Sequence, residues 1–222
     1  MKDFVLINKP VSWTSFDVVA YIRNRIRATS SENSKIKVGH AGTLDPFASG
    51  LLIVGIGREA TKRIDEFKVL PKTYIATIEL GAVSDTLDST GNIIQKAVPE
   101  SERPDFEMIE RLTKKFVGKQ FQVPPMYSAK KVSGKRLYML ARQGEEIKRD
   151  PVEIEIYNLK IIDYTWPILK IEVTCSAGTY IRTLADDLGR KLGVGAFCKE
   201  LIRTAIGDYH VQESVSPKDF LL

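Results

Sequence analysis

The chain predicts an α+β fold organised around a largely antiparallel, mixed central sheet flanked by helices and loops. Three observations carry that prediction. Strand-like and helix-like segments are mixed without a regular strand–helix–strand alternation. Residues 152–164 and 168–176 form two long strand runs close enough to be neighbours. No internal repeat or low-complexity tract interrupts the pattern.

Residues 4–8 read as a short strand. Thr14-Ser15-Phe16-Asp17 has the form of a capping box, and it opens a helix with Val18, Val19, Ile22 and Ile26 on one face. A polar, serine-rich connection follows over 28–35. Residues 51–54 suit a buried strand and 59–67 a short helix. Residues 73–80 are rich in β-branched and aromatic side chains in alternation, which predicts a strand ending at Gly81, with a loop over 83–92. Residues 105–117 fit a helix closed by Gly118, its apolar side formed by Phe106, Ile109, Leu112 and Phe116. The prolines at 124 and 125 lead into a basic turn, and 137–142 reads as helical. The two long strands join near Trp166-Pro167, and Thr179 caps a helix that turns Ile181, Leu184, Ala185, Leu188 and Leu192 inward.

A chain of 222 residues, 43% hydrophobic and 27% charged, can bury a sizeable core as an ordinary globular protein. Its longest apolar run, 51–57, is far too short to span a bilayer, and the first residues lack a secretory pattern. Two cysteines and two histidines make neither a disulfide framework nor a zinc spacing, so a cytoplasmic protein without a metal is expected. The net charge of +5 is unevenly spread. Ten basic residues and two acids lie between Lys114 and Arg149, which gives that segment +8 and leaves the remainder at −3. Such a concentration suits contact with phosphates, although a solvated charged loop has the same composition. Phe116, Phe121, Tyr127 and Tyr138 are interleaved with the charges, and rings in that setting favour looped or single-stranded RNA.

Chemistry concentrates in Gly39-His40-Ala41-Gly42-Thr43-Leu44-Asp45-Pro46. The glycines allow sharp turns, and Pro46 pushes Asp45 out of the helical region. The result is a presented carboxylate with a histidine five residues before it. An Asp-Pro step also starts helical turns, with Asp as N-cap. A lone carboxylate suits nucleophilic attack on an electrophilic carbon. Glycoside hydrolysis usually needs a second acid, and Asp85 and Asp88 lie in a loop whose side chains readily make local turns. Tyr74 enters a strand, where a half-buried sheet aromatic is the ordinary case. Arg182 falls in the first turn of a helix, where the dipole disfavours a cation. That position suggests an anionic partner elsewhere, or an i, i+4 pair with Asp186.

Together these segments resemble the bacterial TruB family, the tRNA pseudouridine-55 synthases. The resemblance runs through Asn8-Lys9-Pro10 with Thr14-Ser15, residues 39–46, Lys72-Thr73-Tyr74 and residues 85–91. It continues through Pro124-Pro125-Met126-Tyr127-Ser128-Ala129, Gly134 with Leu137-Tyr138, and residues 141–144, then residues 175–182 and Asp187-Leu188-Gly189. The segments occur in the family's order over nearly the whole chain, to about Gly207.

The resemblance implies a pseudouridine-synthase fold in one catalytic domain over 1–222, with 114–149 overlapping an RNA-gripping insertion. It implies that Asp45 is the nucleophile, that Tyr74 packs on the uracil and takes the C5 proton, and that Arg182 pairs with the aspartate and holds it ionised. His40 resembles the residue that fills the space left by the everted nucleotide. Further RNA contacts are expected at Lys9, Gly42, Asp85, Tyr127, Lys130, Lys131, Arg136, Tyr180 and Leu201. No cofactor, membrane or obligatory protein partner is implied; the expected partner is the tRNA T-arm, bound by a monomer. A non-catalytic tRNA-folding module and a nucleoside glycosidase are the competing readings.

Ser12, Val152 and Ile202 depart from the family pattern, which has glycine at the first position and arginine at the other two. The family's small C-terminal PUA-type domain is not expected within residues 1–222, which implies weaker and more salt-sensitive tRNA binding.

Overall fold

The computed structural model describes residues 4–29, 36–128, 131–132, 135–136 and 147–220. In chain order the first elements are β1 (Phe4–Lys9), α1 (Ser15–Thr29), β2 (Val38–Ala41), β3 (Ser49–Ile56), α2 (Arg58–Lys68), β4 (Lys72–Leu80), β5 (Ala82–Ser84) and β6 (Ile93–Gln95). They are followed by α3 (Phe106–Lys114), β7 (Gly118–Gln122), β8 (Lys131–Val132), β9 (Lys135–Arg136), β10 (Val152–Thr165), β11 (Ile168–Cys175), α4 (Ile181–Lys191), β12 (Ala196–Ile206) and β13 (Tyr209–His210). The chain divides into two compact units, Met1–Tyr74 with Leu201–Leu222, and Ile75–Glu200.

The first unit is built around β3. β1 pairs with it antiparallel (Ile7 opposite Leu52), β2 also antiparallel (His40 opposite Val54), and the end of β12 parallel (Arg203 opposite Gly50). Alternation along β3 sends Leu52, Val54 and Ile56 to Val18, Ile22 and Ile26 of α1. Leu51 and Ile53 meet Ile64 and Phe67 of α2. Both faces are covered, which is why the strand reads as an uninterrupted apolar run rather than an alternating one. The Thr14–Asp17 box forms as expected: Asp17 N donates to Thr14 Oγ1 at 3.0 Å and Thr14 N to Asp17 Oδ2 at 2.8 Å. Helix α1 runs on to Thr29, so the polar connection begins later than expected, and 30–35 lies outside the described residues.

In the second unit β4, β11, β10 and β7 lie side by side in that order, with β10 antiparallel to both β11 and β7. Ile109 and Phe116 bury the inner side of the segment around α3, whereas Phe106 is 54% exposed. That helix ends at Lys114, before the glycine that was expected to close it. Tyr180, not Thr179, occupies the N-cap of α4; the Thr179 hydroxyl lies 3.4 Å from that of Ser176. Ile181, Leu184, Ala185 and Leu188 are buried as expected, and Leu192 is half-buried.

β2 and β12 lie in stretches for which no element is expected from the sequence. In β12 the adjacent charges Lys199 and Glu200 interrupt the apolar pattern, and they are exposed. The basic turn after the two prolines contains the short antiparallel pair β8 and β9. The helix expected over 137–142 falls outside the described residues.

Candidate active site

Residues 42–48 connect β2 to β3 and carry Asp45. The backbone on both sides of the carboxylate is tied down. Leu44 N donates to Ser15 Oγ at 2.8 Å, and the same hydroxyl donates to Leu44 O at 3.1 Å. Ser12 N donates to Pro46 O at 2.7 Å. Arg203, buried at 1% exposure, donates through Nη2 to Gly42 O (3.1 Å) and through Nε to Leu51 O (2.8 Å). Gly42 adopts φ +81°, a region that a side chain resists. The Asp-Pro step makes a single turn, closed by Ala48 N donating to Asp45 O at 3.1 Å, and no helix follows. Leu44 and Phe47 are buried, and Asp45 itself is half-buried between them.

Ser12 has φ +71°, a conformation glycine adopts freely, which accounts physically for the family's glycine there. The left-handed geometry costs serine ~1 kcal/mol, partly offset because glycine loses more chain entropy on folding. Ser12→Gly is therefore expected to raise the midpoint of thermal unfolding by about 1–3 °C, read by calorimetry. A fall in that midpoint would contradict the strain at this turn.

Lys9 is fully enclosed, and its ammonium donates to the carbonyls of Pro10 (2.9 Å) and Trp13 (2.7 Å). Burial pushes its pKa down to about 8; Asp45 opposes that shift, and Arg203 adds to it. The lysine thus braces the turn beside the Asp45 loop from an enclosed position. The unfolded chain holds this proton up to about 10.5, the folded chain only to about 8. Stability therefore rises with pH between those values, by up to ~1.4 kcal/mol per unit. Urea unfolding of wild type and Lys9→Met across that range is expected to show the gain in wild type only; parallel slopes would refute the assignment.

His40 lies on β2, half-buried, with Nδ1 buried and without a hydrogen-bond partner for that atom among the described residues. Burial, then Arg203 and Lys68, hold its pKa below the ordinary histidine value, so the ring is neutral at pH 7. Tyr74 is buried on β4 at 9% exposure, and Leu201 on β12 at 6%. Lys72, beside Tyr74 in the motif, caps the end of α2 by donating to the carbonyls of Phe67 (3.3 Å), Lys68 (2.5 Å) and Leu70 (2.6 Å).

The second unit gathers a separate set of predicted residues. Arg182, 3% exposed, lies 3.2 Å from Asp88 Oδ2 and donates to Thr86 O (2.9 Å) and Tyr127 O (2.7 Å). Asp88 supplies an anionic partner for this helix-start cation, while Asp186 pairs with Arg190 at 3.0 Å. Asp88 Oδ1 also accepts from Thr86 Oγ1, Thr90 N and Thr90 Oγ1. Leu87 takes φ +63° as the loop turns Asp88 inward. Gln122 grips the Tyr180 backbone from both sides, accepting from N at 2.8 Å and donating to O at 3.0 Å. Asp85 is exposed and accepts from Asn92 N at 2.8 Å, a local turn contact. Lys131 and Arg136 are opposite one another on β8 and β9; Lys130 lies outside the described residues.

Two enclosed charges have larger structural roles than their sequence context suggests. Asp88 is separated by 94 positions from Arg182, and no local pattern links them. Arg203 was detectable: period two places it on the same face as Leu201 and Ala205, both buried. The family departures Val152 and Ile202 are each 39% exposed, so the missing arginines concern the surface.

Comparison with known proteins places the chain in a family. The profile of the TruB family pseudouridylate synthase N-terminal domain matches residues 27–181, and that of the tRNA pseudouridylate synthase B C-terminal domain matches residues 182–222. The chain belongs to the TruB family. A TruB relative from Parabacteroides distasonis, named tRNA pseudouridine synthase B, is 46% identical over 98% of this chain and 91% of its own length. One of the same name from Dehalococcoides mccartyi is 46% identical over 99% and 70%. Among solved structures, a chain of a Cbf5-Nop10-Gar1 complex superposes with a TM-score of 0.69 at 27% identity. A chain of an H/ACA RNP bound to a substrate RNA containing 2'-deoxyuridine gives 0.67 at 26%. Each is covered over 97% of this chain, which spans about half the length of those two chains. The α+β class with a mixed, mostly antiparallel sheet, expected from the sequence, is the TruB fold observed.

Proposed function

We propose that the protein isomerises uridine 55 to pseudouridine in the T loop of tRNA, acting as a monomer in the cytoplasm, with 114–149 gripping the RNA. The observation that carries this reading is the Asp45 loop. Its backbone is tied at 42, 44 and 46 by two other segments, the turn over residues 12–15 and Arg203 of β12, while Asp45 itself is only half-buried. A nucleophile needs that combination of fixed backbone and accessible oxygen.

In this reading Asp45 attacks either C1′ of the ribose or C6 of the base. The C1′–N1 bond breaks, uracil rotates in place, and a C1′–C5 bond forms. The C5 proton leaves, Tyr74 being the group assigned to take it, and N1 gains a proton, so the reaction is an isomerisation without redox change. The resemblance to the family assigns Arg182 the role of partner to the aspartate. Its guanidinium is pre-oriented by Asp88 and two carbonyls, which removes reorganisation at the moment of reaction. A neutral His40 can occupy the gap left by an everted nucleotide without burying a charge.

The test uses a T-arm stem-loop carrying tritium at uridine C5. Pseudouridine formation releases the label into water. Retention of the label by bound RNA would favour a folding module, and free labelled uracil would indicate a glycosidase; either result overturns the proposal.

A further inference from the structure

One side of α1 faces an open groove of about 1200 Å³ within the first unit, next to His40, Gly42 and Thr43. The groove is lined by six cations, Arg23, Arg27, Lys37, Arg58, Lys62 and Lys68, against one carboxylate, Asp65; Lys68 pairs with Asp65 at 2.7 Å and Lys62 with Glu59 at 2.8 Å, so the net positive charge rests on the other four. At its edge stands Phe16, which is 62% exposed. A bulky aromatic left in water on the first turn of a helix is not explained by packing, since Val18, Ile22 and Ile26 on the other side of α1 form the core.

The guanidinium of Arg23, one heptad on, lies 5.9 Å from the Phe16 ring centroid. Its Nε is buried and has no hydrogen-bond partner among the described residues. A ring face, an adjoining guanidinium plane and a corridor of positive charge are the components that hold an unpaired nucleotide: the base stacks, and the phosphate is neutralised. The platform is close to the chemistry. Ser15, the preceding residue, makes both hydrogen bonds to Leu44, next to the nucleophile.

We propose that Phe16, braced by Arg23, is a stacking platform for an unpaired base of the RNA loop that carries the target uridine. The inference rests on the reading of the protein as a pseudouridine synthase acting on a tRNA loop. It adds a residue that determines which loops bind well, because the strength of stacking depends on the base that arrives. The charge of the groove selects RNA as occupant over an apolar peptide or a second copy of this positively charged chain.

The test combines protein and RNA changes. Phe16→Ala and Phe16→Trp are titrated against the T-arm stem-loop and against versions in which each unpaired nucleotide except the target is abasic. Because the side chain is exposed, both variants are expected to unfold like wild type. Phe16→Ala is expected to raise Kd about tenfold on the intact loop, and Phe16→Trp to bind within about threefold of wild type. The alanine penalty should vanish on one abasic RNA, which identifies the stacked base. An alanine variant that binds within twofold of wild type, or one whose penalty is the same on every abasic RNA, overturns the proposal. Tritium release by wild type is measured in parallel. If wild type releases label and Phe16→Ala is unaffected in binding, the platform alone is wrong. If wild type releases none, the functional reading fails and takes this inference with it.

Discussion

Asp45→Asn is expected to reduce pseudouridine formation by at least ~10⁴-fold, because an amide cannot attack carbon and then leave as a carboxylate can. The loop should keep its shape, since its ties run through backbone groups of Gly42, Leu44 and Pro46 and not through the carboxylate alone. Binding should hold or tighten slightly, as the change removes a negative charge close to an anionic ligand. The measurement pairs single-turnover tritium release with a filter-binding titration of the same stem-loop. Release by the variant above 1% of the wild-type rate would exclude Asp45 as the nucleophile. A parallel loss of binding would mean that the carboxylate supports the site's structure rather than its chemistry. The substitution also withdraws the attraction that favours the charged form of Lys9, so that lysine's pKa should move further below about 8.

The second large effect concerns stability. Arg182 and Asp88 have side chains only 3% and 6% exposed, and each sits in a nearly complete set of partners. Removing one member of such a pair leaves the other's charge in a dry setting, at a cost of ~3–5 kcal/mol. Arg182→Met also strips donors from the carbonyls of Thr86 and Tyr127. Its thermal midpoint should fall by about 10 °C for a chain of this size. Asp88→Asn is nearly isosteric and keeps an oxygen that can accept from Thr86 and Thr90, so its loss should trace mainly to the carboxylate charge withdrawn from the Arg182 guanidinium. The double variant should lose less than the sum of the two, by at least ~1 kcal/mol, because the second change removes a group already without its partner. Strict additivity in urea unfolding, or an Arg182→Met cost below 1 kcal/mol, would show that the pair is not coupled.

The local backbone around Asp45 is legible in the sequence. Glycine and proline around Asp45 constrain the backbone whatever surrounds them, so a presented carboxylate could be read directly from residues 39–46. The Thr14–Asp17 box is equally local, and its two hydrogen bonds form as its spacing requires. The charge of Arg182 at a helix start also pointed to an anion, but not to which one. Lys9 and Arg203 read as surface cations by type, yet both are enclosed, and each is spent on backbone carbonyls. Nothing near either residue in the chain announces that, apart from the period-two pattern around Arg203. The strand carrying Arg203 was hidden by Lys199 and Glu200, whose exposed positions break the apolar run without ending the strand.

Short-range order in this protein was written in the chain itself: caps, turns, the doubly covered run of β3 and the loop that offers Asp45. Those features depend on neighbours within a few residues, where steric limits and hydrogen-bond reach are the same in any fold. Tertiary structure alone decided which charges were taken out of water and what they hold, as with Arg182 on Asp88 and Arg203 on Gly42. A buried ion is tolerated only where partners converge on it from distant segments, and that convergence is a property of packing, not of any single stretch of sequence.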